Sequence, residues 1–146
     1  MAIIAAALSL ISCASGPRPT RVTGSIAASP AVNPSVSNRP SPLLVRVYEL
    51  KATNTFNNAD FVSLYQRDQS ELGADLVARE ELMLSPGERR PLARTLAPET
   101  RFVGVFAAYR DLEHARWRVA IPIEPGKKQQ IVIQAEELSV KAAVMP

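Results

Sequence analysis

Cys13 and His114 are each the only residue of their kind in a chain of 146, and that scarcity decides most of the chemistry open to it. One histidine and one cysteine cannot supply the usual nitrogen and sulfur ligands of a zinc site. A single thiol forms no intramolecular disulfide, and Cys–His catalysis would require Cys13 and His114 to meet. Asp111, Glu113 and His114 form the nearest thing to an acid–base cluster. Such work needs a pocket and positioned partners, and this run between two strands reads as a solvated hairpin tip. Ser63, Ser70 and Ser85 lack the Gly-x-Ser-x-Gly turn of a nucleophile elbow, and the six glycines are too scattered for a phosphate cradle. The aromatic residues fall at inward strand and helix positions, as core residues do, and form no base-stacking platform. The chain is expected not to be an enzyme and to use no catalytic residue, metal or cofactor.

Cys13 has a different chemistry. Residues 2–11 (AIIAAALSLI) are apolar but for Ser9. Ten residues rise about 15 Å as a helix, half of a bilayer core, so the run is too short to span and suits a signal-peptide h-region. Leu10-Ile11-Ser12-Cys13 resembles a bacterial lipobox, in which a small residue precedes the cysteine that becomes the lipidated N-terminus. Residues 1–12 are therefore expected to be a signal peptide, although no Lys or Arg precedes the apolar run as it does in other such peptides. By the sorting rule of enterobacterial lipoproteins, Ala14 in place of Asp after the cysteine implies delivery to the outer membrane.

Charge excludes a nucleic-acid binder. The formal charge is +3, yet all 14 acidic residues and 14 of the 17 basic ones lie after position 42, so segment 43–146 is neutral. The excess is Arg18, Arg21 and Arg39, whereas phosphate binding requires a basic stripe on the folded part. Lys127-Lys128 and Arg89-Arg90 read as solvated pairs beside turns.

The elements that must carry these residues are mostly strands. Residues 13–21 hold Gly16, Pro17 and Pro19 and read as a lipidated tether, followed by a single domain over 22–146. A first strand is expected over 22–28, weakened by Gly24. Residues 29–42 contain four prolines and no acid, the composition of a long loop that adds little to the core. From Leu43 apolar residues alternate with period two. Asn57-Asn58 offers helix-capping oxygens before Phe61, Leu64 and Tyr65, which recur at helical spacing. Ser85-Pro86-Gly87 and Glu124-Pro125-Gly126 are type II turn sequences. Arg101–Arg110 reads as a central strand buried on both faces, with a close approach at Gly104. Trp117, Val119, Ile121 and Ile123 are expected to point inward. About eight short strands with a small helical insertion predict an all-β, two-sheet β-sandwich.

Four passages resemble the TssJ family of outer-membrane lipoproteins from type VI secretion systems. They are Arg39-Pro40-Ser41-Pro42 with Val45-Arg46-Val47-Tyr48-Glu49-Leu50; Phe56 with Ala59-Asp60-Phe61 and Leu64; Leu84-Ser85-Pro86-Gly87; and Thr100–Asp111 (TRFVGVFAAYRD) with Ala115-Arg116-Trp117-Arg118. The resemblance implies a transthyretin-like sandwich, tethered to the outer membrane through lipidated Cys13 and facing the periplasm. It implies a scaffold subunit that binds the periplasmic C-terminal domain of TssM, with no nucleic acid and no small-molecule substrate. The family's partner-contact loop corresponds to Asn33, Pro34, Ser35, Val36, Ser37, Asn38, Arg39 and Pro40. The alternatives are a periplasmic ligand carrier or small hydrolase on a transthyretin-like fold, and a lipoprotein that pairs by strand addition. A lone histidine argues against the hydrolase, and Pro91 and Pro122 blunt strand edges against the last.

Overall fold

Alternation along the chain becomes eight strands: β1 (Thr20–Ala28), β2 (Leu43–Leu50), β3 (Leu76–Leu84), β4 (Arg89–Leu96), β5 (Phe102–Ala107), β6 (Arg118–Pro122), β7 (Lys128–Ala135) and β8 (Val140–Met145). The computed structural model describes Cys13 and residues 15–146; the expected signal peptide, 1–12, lies outside them. Two four-stranded sheets, ordered β4-β1-β7-β8 and β3-β2-β5-β6, pack face to face as the expected sandwich. Their shared core includes Val22, Ile26, Val45, Val47, Val105, Ile131 and Ile133, all nearly or wholly removed from water. Each such aliphatic side chain stabilises the fold by about 1.5–3 kcal/mol through burial.

All strand pairs are antiparallel except β1 with β7. That pair corrects two expectations. Strand β1 begins at Thr20, inside the segment expected to be tether, because Arg21 N–H donates to Lys127 O at 3.0 Å. Gly24 is also no weak point. It lies opposite Ile131 with φ +139°, and a Cβ there would sit 1.8 Å from the Ile131 carbonyl oxygen. Only a residue without a side chain lets β1 and β7 approach this closely.

A second core lies on the outer face of the β3-β2-β5-β6 sheet. There α1 (Asn54–Asn58) and α2 (Phe61–Leu72) cover Tyr48, Leu50 and Phe106 with Phe56, Ala59, Leu64 and Leu72. Strands β2 and β5 are consequently buried on both faces, as the apolar run of β5 predicted. Gly104 is where the close approach falls: a Cβ there would meet Leu50 at 2.9 Å and Phe56 at 3.2 Å. Asp60, rather than Asn57 or Asn58, caps α2. Its carboxylate accepts from Ser63 N–H at 2.9 Å, and a negative charge is favoured at that end of a helix. The two asparagines belong to α1. Helix α2 ends at Gly73, and Leu76 starts β3.

One feature of this layer escapes the sequence pattern. Helix α2 is kinked at Arg67 (φ −146°, ψ 45°). Arg46 of β2 lies beside the kink, donating to the carbonyl oxygens of Leu64 and Tyr65 at 3.0 Å each. The same guanidinium meets Asp68 at 3.3 Å and Glu81 at 2.7 Å and lies over the rings of Tyr65 and Phe106. Asp68 also accepts from Tyr48 Oη–H at 2.8 Å and from Arg79. Burial, together with the neighbouring carboxylate, raises the Tyr48 pKa, so its hydroxyl stays protonated as the donor.

Trp117 is only half-buried, because it precedes the edge strand β6. It meets Phe61 and Phe106 edge-on, with centroids 5.2 and 5.6 Å away, and so joins the helical layer as well as the rim of the sandwich. Trp117→Ala is expected to cost about 3 kcal/mol, the low end for truncating a large aromatic residue. Urea unfolding measures it, and a loss below about 1 kcal/mol would mean that the rings contribute little.

Candidate functional site

The loop between β1 and β2, residues 29–42, is built outward from Asn33. Its backbone has φ +51°, a conformation asparagine tolerates better than most residues. Asn33 N–H donates to Glu137 O at 3.0 Å, and its amide donates to Pro42 O at 2.9 Å. The amide oxygen accepts from Arg110 N–H at 2.8 Å. Asn33 is 3% exposed and neighbouring Val32 is wholly buried. This corrects two readings: the loop does contribute to the core at Val32, and Asn33 is a pin that holds it, since its polar atoms are already satisfied within the chain.

Beyond the pin, the loop turns to solvent. Pro34 and Ser35 are half-buried, and Val36, Ser37, Asn38, Arg39 and Pro40 are exposed. Ser35 N–H donates to Arg39 O and Asn38 N–H to Ser35 O, both at 2.8 Å, with Asn38 at φ +58°. The tip is therefore a closed turn rather than a free strand, and Val36 projects from it with 109% of its reference surface exposed. Arg39 forms no salt bridge among the described residues.

Strand direction places this loop. Residues Thr20–Ala28 run from the tether to the loop, so eight steps of ~3.3 Å put about 26 Å between the two ends. Cys13 is exposed on the tether side. The loop end also gathers the 85–88 turn, through Gly87 N–H to Ser29 O at 3.2 Å, and the 136–139 turn through Asn33. The Asp111–His114 tip joins the same end through Arg110. His114 Nδ1 and Asp111 Oδ2 are 2.9 Å apart, both substantially exposed, which is the geometry of a solvated turn. From this end an open groove of about 1010 Å³ runs along β8, lined by His114, Arg116, Val119, Leu138, Ala143 and Met145 among others. Among the described residues no three metal-ligating side chains cluster.

Comparison with known proteins assigns this arrangement to a family. Residues 20–138 match the family model described as "Type VI secretion lipoprotein, VasD, EvfM, TssJ, VC_A0113". The chain belongs to the TssJ family of type VI secretion lipoproteins. It is similar to the T6SS lipoprotein TssJ1 from Pseudomonas aeruginosa at 39% identity, covering 88% of this chain and 98% of that one with a TM-score of 0.84. It is similar as well to Serratia marcescens Lip, a membrane-bound component of the type VI secretion system, at 28% identity, 88% and 99% coverage and a TM-score of 0.79. A chain in the structure described as the T6SS protein TssM C-terminal domain (869–1107) from EAEC matches at 25% identity, 87% and 98% coverage and a TM-score of 0.69. No curated protein matches the sequence. The TssJ family is one of structural lipoprotein components, and the sequence passages that resembled it lie within the matched region.

Sequence reasoning located the loop from its composition but missed the pin and the network around Arg46. The isolated Asn33, flanked by Val32 and Pro34, carried one usable signal. Asparagine is among the few residues suited to a left-handed turn.

Proposed function

We propose that this TssJ-family chain is a lipid-anchored scaffold of the outer membrane, facing the periplasm, that docks the periplasmic C-terminal domain of TssM through Pro34–Pro40. The observation that carries the reading is the opposition of the two ends: acyl chains on Cys13 would hold one end at the membrane, and the closed tip with Val36 is presented about 26 Å away. A turn already fixed by its own hydrogen bonds loses less entropy on docking than a floppy loop would. Val36 is a free apolar contact, and Arg39 can make forked hydrogen bonds to a carboxylate or carbonyls.

The similar chain in the TssM structure supports the choice of partner. Its match spans about 127 residues (87% of 146), which is 98% of a chain of about 130. That chain is far shorter than the span 869–1107, so it is not the whole TssM fragment.

Two measurements test the reading. Calorimetric titration of the chain with the TssM periplasmic domain is expected to give saturable binding, and no heat or complex would overturn the partnership. Metabolic labelling with a palmitate analogue is expected to mark the wild-type chain, while Cys13→Ser remains unlabelled and leaves the outer-membrane fraction. An unlabelled wild type would overturn the anchor.

A further inference from the structure

The basic residues that look dispersed along the chain are gathered by the fold at the tether end. Arg18 and Arg21 precede and begin β1, whereas Lys127 ends the turn before β7 and Lys128 begins that strand, more than a hundred positions later. Three contacts join them. Arg21 N–H donates to Lys127 O at 3.0 Å, Gly126 N–H donates to Thr20 Oγ1 at 2.8 Å, and Arg21 stands opposite Lys128 in the parallel ladder. The four cations line one hollow of about 580 Å³, with only Pro19 and Gly126 completing it. One acid answers them: Glu124 reaches Lys127 at 2.6 Å, with both side chains about two-thirds exposed. The four cations less Glu124 carry +3, the entire formal charge of the chain, and the other 13 basic and 13 acidic residues cancel.

We propose that this patch is a second membrane contact, a surface that docks on the phosphates of anionic lipids and orients the sandwich against the bilayer. The inference rests on Cys13 as the acylated residue. Arg18 lies five residues from Cys13, within about 18 Å even if that stretch is fully extended. The patch therefore lies within reach of the headgroups to which the anchor would fix the chain. A lipid anchor alone leaves the domain free to tumble on its tether. Adding a polybasic patch is the established way of supplementing acyl chains, and its attraction decays within a Debye length of about 10 Å. The remaining 13 basic and 13 acidic residues cancel in sum, so attraction to an anionic surface favours the tether end and turns the loop end away from the membrane.

The test removes the acyl chain so that only the patch is read. The probe is sedimentation of the chain 13–146 carrying Cys13→Ser with vesicles of phosphatidylcholine alone or mixed with phosphatidylglycerol. This chain keeps every strand, helix and turn described here. At low salt, partition onto the anionic vesicles is expected to exceed that onto the neutral ones by roughly 100-fold, about fivefold for each of three net charges. High salt should abolish the difference. So should the combined variant Arg18→Gln, Arg21→Gln, Lys127→Gln, Lys128→Gln, whose folding circular dichroism checks; should it not fold, the pair Arg18→Gln, Lys127→Gln is expected to lower partition at least tenfold. Equal partition onto both vesicles, or salt-resistant partition retained by the folded variants, would overturn the proposal. Neither result depends on acylation of Cys13, which labelling reads separately.

Discussion

Asp68→Ala is expected to lower the unfolding free energy by roughly 3–5 kcal/mol, the cost of stripping one partner from a buried ion pair. Asp68 sits where a β2 arginine, a β2 tyrosine and a β3 arginine converge. Its removal leaves the Tyr48 hydroxyl, nearly inaccessible to water, without an acceptor and leaves Arg46 to Glu81 and two carbonyls. Arg46 itself bridges the sheet to the kink of α2, so the helical layer should loosen first. Hydrogen exchange along 61–72, alongside denaturant unfolding, reads both effects. A paired replacement, Arg46→Met with Asp68→Leu, should recover much of the loss, because a buried pair exchanged for apolar side chains is often nearly neutral. If Asp68→Ala costs less than about 1 kcal/mol, the network is solvated and the kink has another cause.

Exchange of Pro34–Pro40 for a short Gly-Ser connection, with Asn33 retained, is expected to abolish binding of the TssM periplasmic domain. Stability should move by no more than about 1 kcal/mol, since closure cost varies slowly with loop length and the exchanged side chains are exposed or half-buried. Asn33→Ala should do the opposite. It removes the part-buried hydrogen bonds to Arg110 N–H and Pro42 O and places alanine at φ +51°, for a loss of about 2 kcal/mol. The contrast separates holding the loop from binding through it. Retained binding by a folded, loop-exchanged chain would move the contact elsewhere, with the Asp111–His114 tip as the next surface to mutate. Unfolding of that chain would make the loop structural.

Period-two alternation in β2 and β7 was legible because each strand has at least one buried face, which forces apolar residues onto one parity. The double burial of β5 was legible too, since a polar residue on either face would lack a partner. The cap of α2 was misplaced: Asn58 and Asp60 are both good capping residues, and what decides between them is which oxygen meets the Ser63 amide. Gly24 read as a weakness because one strand's sequence says nothing about a neighbour from a hundred residues later. The pairing of β1 with β7 makes that glycine necessary.

The two-sheet sandwich, the lack of the usual catalytic motifs, the proline-rich loop and the chain's resemblance to the TssJ family could be read from the residues in order. All of these depend on residue type and short-range spacing, which a linear chain displays directly. Only the folded chain shows that the segment before Thr20 and the loop after Ala28 lie at opposite ends of β1, and that Asn33 is pinned while Val36 is exposed. It shows also that Arg46 and Asp68 meet 22 positions apart and that four separate cations share one hollow. These facts depend on which distant backbones pair. Pairing is fixed by the whole core's burial and the one register that satisfies its hydrogen bonds, and no local segment carries that information.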